Sequence, residues 1–377
     1  MSTATMKRSR RRSWRRRLMG IAAAMVLVVP AAACGSSQES DKIVIGSVMP
    51  ALNNEFWQSY LAFLETTAEQ LDIELINIDA NDSGDRLARG VDDLIARGVD
   101  GIIAVPFFGT GPRALASAEA EGIPIVMVDA LPEDEVPGGS YEQYVGFVGP
   151  DDAESGYQMA DALAQSIKPG PDGKKKIVAV QGPPGTSVAE NRYDGLKRYL
   201  SEHPDLELIG SAVGNFSPVD SQNAMDDLLQ RHGNDIQGVW SVAGGPTTGV
   251  LSSLKTAEMV PGEDIKIATM DLNPDVLDAV ERGEVVYDNG GHWLEGGFGL
   301  VMLYDWIQGI RFGDDERNQI MSLLPVTNAT IEQFRADYPG GLPDYDAKEH
   351  SRHFTPDGPP AVIELTYSKD IDLGLAP

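Results

Sequence analysis

A single cysteine, Cys34, stands among 377 residues, and basic residues are scarce, 30 Lys and Arg against 57 Asp and Glu. One thiol forms no intrachain disulfide and no cysteine-based zinc site, so an ordinary apolar core has to hold the chain together. The acid excess, a formal net charge of −27, is spread along the chain. A surface of that sign repels phosphates, which excludes nucleic acid as a partner. The five histidines are scattered, with His350 and His353 in a turn-rich tail, so no metal site is expected. No Gly-x-Ser-x-Gly elbow occurs, and Gly182-Pro-Pro-Gly185 fits neither a P-loop nor a dinucleotide fingerprint. No cofactor is implied. The apolar run over residues 18–29 is shorter than the roughly 20 residues of a membrane span.

What is present begins with that run. Lys7, Arg8 and six further arginines precede it, and Pro30-Ala-Ala-Ala33 leads from it to Cys34. Basic, then apolar, then small residues predict a secretory signal over residues 1–33. Ending directly before Cys34, it resembles a bacterial lipoprotein signal, in which the cysteine becomes the lipidated first residue. Both general secretory and twin-arginine export are compatible with the arginine clusters. Residues 34–41 read as a flexible polar tether. Without the signal, 22 basic residues remain against 57 acidic ones, a net of −35.

From Lys42 onward the pattern changes. Ile43, Val44, Ile45 and Val48 predict a buried strand that Pro50 ends, and Phe56, Tyr60, Phe63 and Leu64 predict a helix. Asn53, Asn54 and Glu55 then occupy the loop between them, where an Asn serves equally as a helix cap. Further strands are expected at 74–79, 100–106, 125–128 and 144–148, with helices at 85–97, 112–121 and 151–167. After a turn-rich segment at 168–173 the alternation restarts, with strands at 174–181, 206–212, 236–242, 265–270 and 285–287. Its helices are expected at 187–200, 219–231, 246–258, 275–282 and 293–309. Strict strand–helix alternation demands parallel, doubly wound sheets, here in two successive α/β units. The tail from residue 325 is rich in proline and glycine, and one strand-like run at 361–367 is expected to clamp it to the body.

Ligands of such sheets bind at the carboxyl ends of the strands. The loops there gather Asn53 to Trp57, Phe107, Phe108 and Asp129 in the first unit. In the second unit they gather Arg192, Asn215, Phe216, residues 243–245, Asp271 and residues 288–293. Planar polar forks mixed with flat aromatics suit a polyhydroxylated ligand, whose hydroxyls pair with the forks and whose C–H face lies on a ring. Asp129 and Asp271 also satisfy the residue requirement of a glycosidase carboxylate pair, which is defined by a separation the sequence does not state.

Taken in order, four motifs resemble the ribose- and galactose-type periplasmic substrate-binding proteins of ABC transporters, over about residues 43–312. They are Leu52-Asn-Asn-Glu-Phe-Trp57, Gly122-Ile-Pro-Ile-Val-Met-Val-Asp129, Gly185-Thr-Ser-Val-Ala-Glu-Asn-Arg-Tyr-Asp-Gly195, and Thr269-Met-Asp271 with Asn273-Pro274. The resemblance implies a type I periplasmic-binding-protein fold, two doubly wound parallel-sheet α/β lobes joined by a three-segment hinge. The crossings are placed near 148–151, 290–292 and 320–325. The N-terminal lobe is then 42–149 plus 292–322, the C-terminal lobe 150–291, and 323–377 an irregular extension running back toward the second lobe.

The resemblance also implies ligand contacts at Asn54, Phe56, Trp57, Asp129, Arg192, Phe216 and Asp271, and Glu55, Phe108 and His292 beside them complete the candidate site. Three departures from the ribose pattern, Ala130, Ala243 and Gly291 or His292, argue against ribose itself. The expected function is a monomeric, lipid-anchored extracytoplasmic protein, not an enzyme, that delivers a sugar, polyol or similar solute to an ABC permease. A secreted glycoside hydrolase and a sensory receptor for a solute or autoinducer are the alternatives.

Overall fold

A computed structural model describes residues 42–132 and 135–375, so Cys34, the signal and the tether lie outside the described residues. In the first lobe β1 (Val44–Met49), α1 (Glu55–Gln70), β2 (Glu74–Asp79), α2 (Gly84–Ala96), β3 (Gly101–Ala104), α3 (Gly111–Glu121), β4 (Ile125–Val128) and β5 (Tyr144–Pro150) follow one another. The second lobe contains α4 (Asp152–Ser166), β6 (Lys175–Gln181), α5 (Ser187–Glu202), β7 (Leu206–Val213), α6 (Pro218–His232) and β8 (Gly238–Ser241). It continues through α7 (Gly244–Thr256), β9 (Lys266–Met270), α8 (Pro274–Glu281) and β10 (Tyr287–Gly290). The chain then runs through α9 (Glu295–Ile307), α10 (Asp314–Arg317), β11 (Asn318–Met321), β12 (Leu324–Val326), α11 (Ile331–Asp337) and α12 (Ala347–His350). Among the described residues no helix is long and apolar enough to cross a membrane.

The strand order is β11-β5-β4-β3-β1-β2 in one sheet and β12-β10-β9-β8-β6-β7 in the other. All pairings are parallel except β10 with β12. The chain passes between the sheets after β5, after β10 and between β11 and β12. The short central strands β3 and β4 are buried on both faces, and this is why they read as unbroken apolar runs.

Two close approaches set the lobes' geometry. At α4 and α5, a methyl on Gly195 would lie 2.0 Å from the Ala153 carbonyl oxygen, and one on Gly156 would lie 1.9 Å from that of Arg192. Only glycine lets these helices come so near, and the contact brings Arg192 beside the start of α4. At α1 and α9, a methyl on Gly296 would meet the Tyr60 ring at 2.5 Å. Phe298 packs edge-on against Phe63 at 5.5 Å in the same seam. Tyr60, Phe63 and Phe298 are withdrawn from water, a contribution of roughly 2–3 kcal/mol for each ring.

The C-terminal part departs from expectation in two ways. Residues 361–367 form no strand. Pro359 and Pro360 remove backbone donors just upstream, and tyrosine hydroxyls tether the run instead: Tyr345 donates to the Ala361 carbonyl at 2.7 Å, and Tyr367 donates to that of Pro325 at 2.7 Å. The strand of this region is β12, antiparallel to β10. Nor does the extension keep to the second lobe. The buried Asp305 carboxylate of α9 accepts from the Arg352 and His353 amides, at 2.8 and 3.2 Å, and Tyr345 packs on Phe298 and Phe63 of the first lobe. Leu373 then returns to Thr327, beyond β12. The strand expected at 285–287 forms later, at Tyr287–Gly290, and a short 3-10 turn, His292–Leu294, precedes α9.

Candidate functional site

Asp129 follows β4 and Asp271 follows β9, so corresponding strand ends of the two lobes each present a carboxylate. Both hold positive φ, 68° and 109°. Side chains other than glycine adopt such backbone at a cost of order 1–3 kcal/mol, which surrounding structure has to offset and which concentrates at functional positions. Asp271 Oδ2 accepts from the Gly244 amide at the start of α7, at 2.9 Å, and Oδ1 lies 3.5 Å from His292 Nε2. Asp129 Oδ1 has no hydrogen-bond partner. Burial pushes the Asp129 carboxyl up to about 7, with Arg192 pulling it down and Asp271 pushing it further up.

Arg192, 4% exposed, belongs to the second lobe and feels the charge of both carboxylates. Its Nε donates to Asp152 Oδ1 at 2.7 Å and its Nη1 to the Val242 carbonyl at 3.2 Å. Asp152 begins α4 directly after a crossing between lobes, and burial lifts its carboxyl to about 6 against the pull of Arg192. His292 is buried at the second crossing, and burial lowers its pKa, which favours the neutral ring. A neutral His292 donating from Nε2 to Asp271 leaves Nδ1 as an acceptor, and that atom has no partner.

The aromatic residues gather on the first-lobe side. Phe56 lies against the His292 ring at 4.6 Å, and Trp57 stands edge-on to Phe56, Tyr60 and Phe107 at 4.9, 5.3 and 5.9 Å. Asn54 is the cap of α1, its Oδ1 accepting from the Trp57 amide at 3.0 Å. Glu55, half-buried, faces Asp275 at the start of α8, and burial followed by Asp275's charge raises its pKa. Phe216 is half-buried at the end of β7, its ring against Gly182.

Phe108 does not join this group. It is 43% exposed, has a φ of 57°, and turns over Gly84 of α2, while its neighbour Phe107 packs beneath Trp57.

The sequence reading omitted Asp152, Glu295, Tyr60 and Ser47. The last three, with Asp288 and Asn289 of the segment 288–293, each carry a buried side-chain atom outside full hydrogen-bond geometry. For Glu295 a signal existed, as the one acid in the otherwise apolar stretch of residues 293–304. A cleft of about 590 Å³ adjoins the group, bounded by Phe56, Asp271, Trp293 and, from the extension, Phe334 and Tyr338. Among the described residues no cluster of His, Cys, Asp and Glu is arranged to hold a metal.

Comparisons with known proteins agree with this architecture. Residues 45–293 match the family described as periplasmic binding protein domain. The xylitol-binding protein of Mycolicibacterium smegmatis is 30% identical over 314 residues, covering 81% of this chain and 84% of that protein. The ribose import binding protein of Bacillus subtilis is 26% identical over 247 residues, covering 65% and 75%. Among solved structures, a periplasmic sugar-binding protein from Pseudomonas fluorescens superposes with a TM-score of 0.75 at 24% identity, over 85% of this chain and 98% of that one. A solute-binding protein from Bacillus halodurans with bound myo-inositol gives 0.70 at 21%, over 80% and 100%. These relatives are substrate-binding proteins rather than enzymes, and the glycoside hydrolase alternative finds no support among them. Its fold, its matched family and its relatives together make this chain a member of the periplasmic binding protein family.

Proposed function

We propose that the protein binds one small hydroxylated solute, a sugar or polyol, between its two lobes and hands it to an ABC permease from a lipid anchor at Cys34. The observation that carries this reading is the pairing of Asp129 and Asp271 at matching strand ends, both in strained backbone, with Arg192 and His292 beside them and Phe56 and Trp57 on the first-lobe side. Carboxylates and a guanidinium bridge neighbouring hydroxyls, and an aromatic face covers the apolar side of a ring or chain. Because groups from both lobes contribute, their full binding energy is realised only when the lobes are together, so ligand shifts the population toward the closed form that a permease reads.

Ala130 and Ala243 supply no side-chain donor at positions where the ribose pattern has one, and both are buried. The physiological ligand therefore differs from ribose in its hydroxyl arrangement. The relative named for xylitol supports an acyclic polyol among the first compounds to test. A thermal-shift screen of the mature protein against pentoses, hexoses, alditols and nucleosides tests the reading. A ligand that binds only the folded state raises the unfolding temperature in proportion to RT ln(1 + [L]/Kd). A sugar or alditol is expected to give the largest shift, and a screen in which no hydroxylated compound shifts the transition contradicts it.

A further inference from the structure

Beneath Asp129 lies a set of polar groups to which no role has been given so far. Glu295 opens α9 and is fully buried, and neither carboxyl oxygen has a side-chain hydrogen-bond partner, the Asp129 backbone being the nearest polar group. The close approach at Gly296 presses this end of α9 against the Tyr60 ring of α1. The Tyr60 hydroxyl and the Ser47 hydroxyl of β1 are likewise buried, with each other as their nearest partner, and Tyr60 packs edge-on against Trp57. The charged groups acting on Glu295 are Asp129, Asp152 and Arg192, all members of the interlobe site, and Glu295 acts in turn on Tyr60. A buried carboxyl without a partner costs stability, so a chain that keeps one has a use for it.

We infer that Glu295, with Tyr60 and Ser47, forms the first-lobe floor of the ligand site and selects a neutral, hydroxyl-rich solute over its anionic counterparts. The inference rests on the proposed solute-binding function and specifies the ligand class. Its chemistry follows from which atoms lack partners. Asp129 Oδ1 and the Glu295 oxygens lack side-chain donors, and hydroxyl groups supply hydrogens to such atoms. Burial, reinforced by Asp129 and Asp152, lifts the Glu295 carboxyl well above the usual carboxylate range. Burial thus favours the protonated form, which offers one O–H donor besides its acceptors. The one arginine of the site is already committed through Nε to Asp152 and through Nη1 to the Val242 carbonyl. A ligand carboxylate or phosphate would enter beside the Asp129, Asp152 and Asp271 carboxyls with a single guanidinium, already paired with Asp152, to meet it, and like-charge contact in a buried site is costly.

The test compares the unmodified protein with E295Q and E295L by calorimetry, using pentitols and hexitols and the aldonic acids of the same carbon skeletons, together with thermal unfolding of the ligand-free proteins. In the unmodified protein an alditol should bind at least about 100-fold more tightly than its aldonic acid. E295Q keeps shape and hydrogen-bonding capacity and should stay within about 5-fold, whereas E295L should weaken the alditol by at least about 30-fold. Removing an unpartnered buried carboxyl should also raise the unfolding temperature of ligand-free E295L by roughly 2–4 °C.

That opposition of affinity and stability separates a ligand-contacting group from a structural one. E295L that fails to fold, unfolds at a lower temperature, or binds the alditol undiminished overturns the inference. So does an unmodified protein that prefers the aldonic acid, although solute binding itself would then stand. A protein that binds no member of the panel overturns the solute-binding function and this inference with it.

Discussion

Replacing Asp129 with asparagine should stabilise the ligand-free protein above neutral pH while weakening its hold on ligand. The carboxyl is buried, one oxygen is unpartnered, and burial lifts its pKa to about 7 against the opposing pull of Arg192. An unfolded Asp titrates near 3.9, so between about 3.9 and about 7 the folded chain retains a proton that the unfolded chain has lost. Stability is therefore full below that window and declines as pH rises through it. About three units at about 1.4 kcal/mol each set a ceiling near 4 kcal/mol, and relaxation around the charge reduces the expected loss to roughly 2–3 kcal/mol.

Urea denaturation of both proteins near pH 5 and near pH 8 reads this directly. General repulsion among the 57 acidic residues acts on both proteins and largely cancels in the comparison. Because part of the window lies below pH 5, the variant should lose roughly 1.5–2 kcal/mol of the pH dependence between the two conditions and be the more stable of the two near pH 8. Equal pH dependence in the two proteins, or a variant less stable near pH 8, refutes the reasoning.

Arg192→Met leaves Asp152 buried without its partner and should cost about 3–5 kcal/mol by urea denaturation. The double variant with Asp152→Asn should recover at least about half of that loss, because no unpaired charge remains. Gly195→Ala places a methyl 2.0 Å from the Ala153 carbonyl oxygen. Forcing α4 and α5 apart should cost about 1–3 kcal/mol in the same assay and weaken ligand binding through the displaced Arg192, measured by calorimetry. Cys34→Ala should move the protein from the membrane fraction to the soluble extracytoplasmic fraction on cell fractionation, and a variant still wholly in the membrane fraction argues against the anchor.

The alternation of strands and helices was legible because each element carries its own hydrophobic period. The segments 74–79 and 125–128 coincide with β2, whose Leu75, Ile76 and Ile78 are β formers flanked by polar ends, and β4, an unbroken apolar run. Asp129 and Asp271 could be picked out because they directly follow such runs. What stayed hidden depends on tertiary contact. Of two adjacent phenylalanines, the sequence offers no ground for choosing Phe107 over Phe108; the choice is made by a backbone turn in which Phe108 takes a φ of 57°. Glu295 looks like a helix-start acid until α9 is seen pressed on Tyr60. Asp152 looks like a solvent-facing first-turn residue until the glycine contact between α4 and α5 brings Arg192 onto it. The run at 361–367 has the composition of a strand, yet tyrosine hydroxyls from elsewhere hold it outside any ladder.

The most direct test of the central claim is calorimetry of the best ligand from the thermal screen with the unmodified protein and with Asp271→Ala, the variant's fold being verified by circular dichroism. Solute binding between the lobes predicts one ligand per chain, recovered chemically unchanged, with ribose bound more weakly. It also predicts an affinity at least about 30-fold lower in the variant, the scale of leaving buried polar groups unpaired. Undiminished affinity in a folded Asp271→Ala, or conversion of the ligand by the unmodified protein, would contradict it.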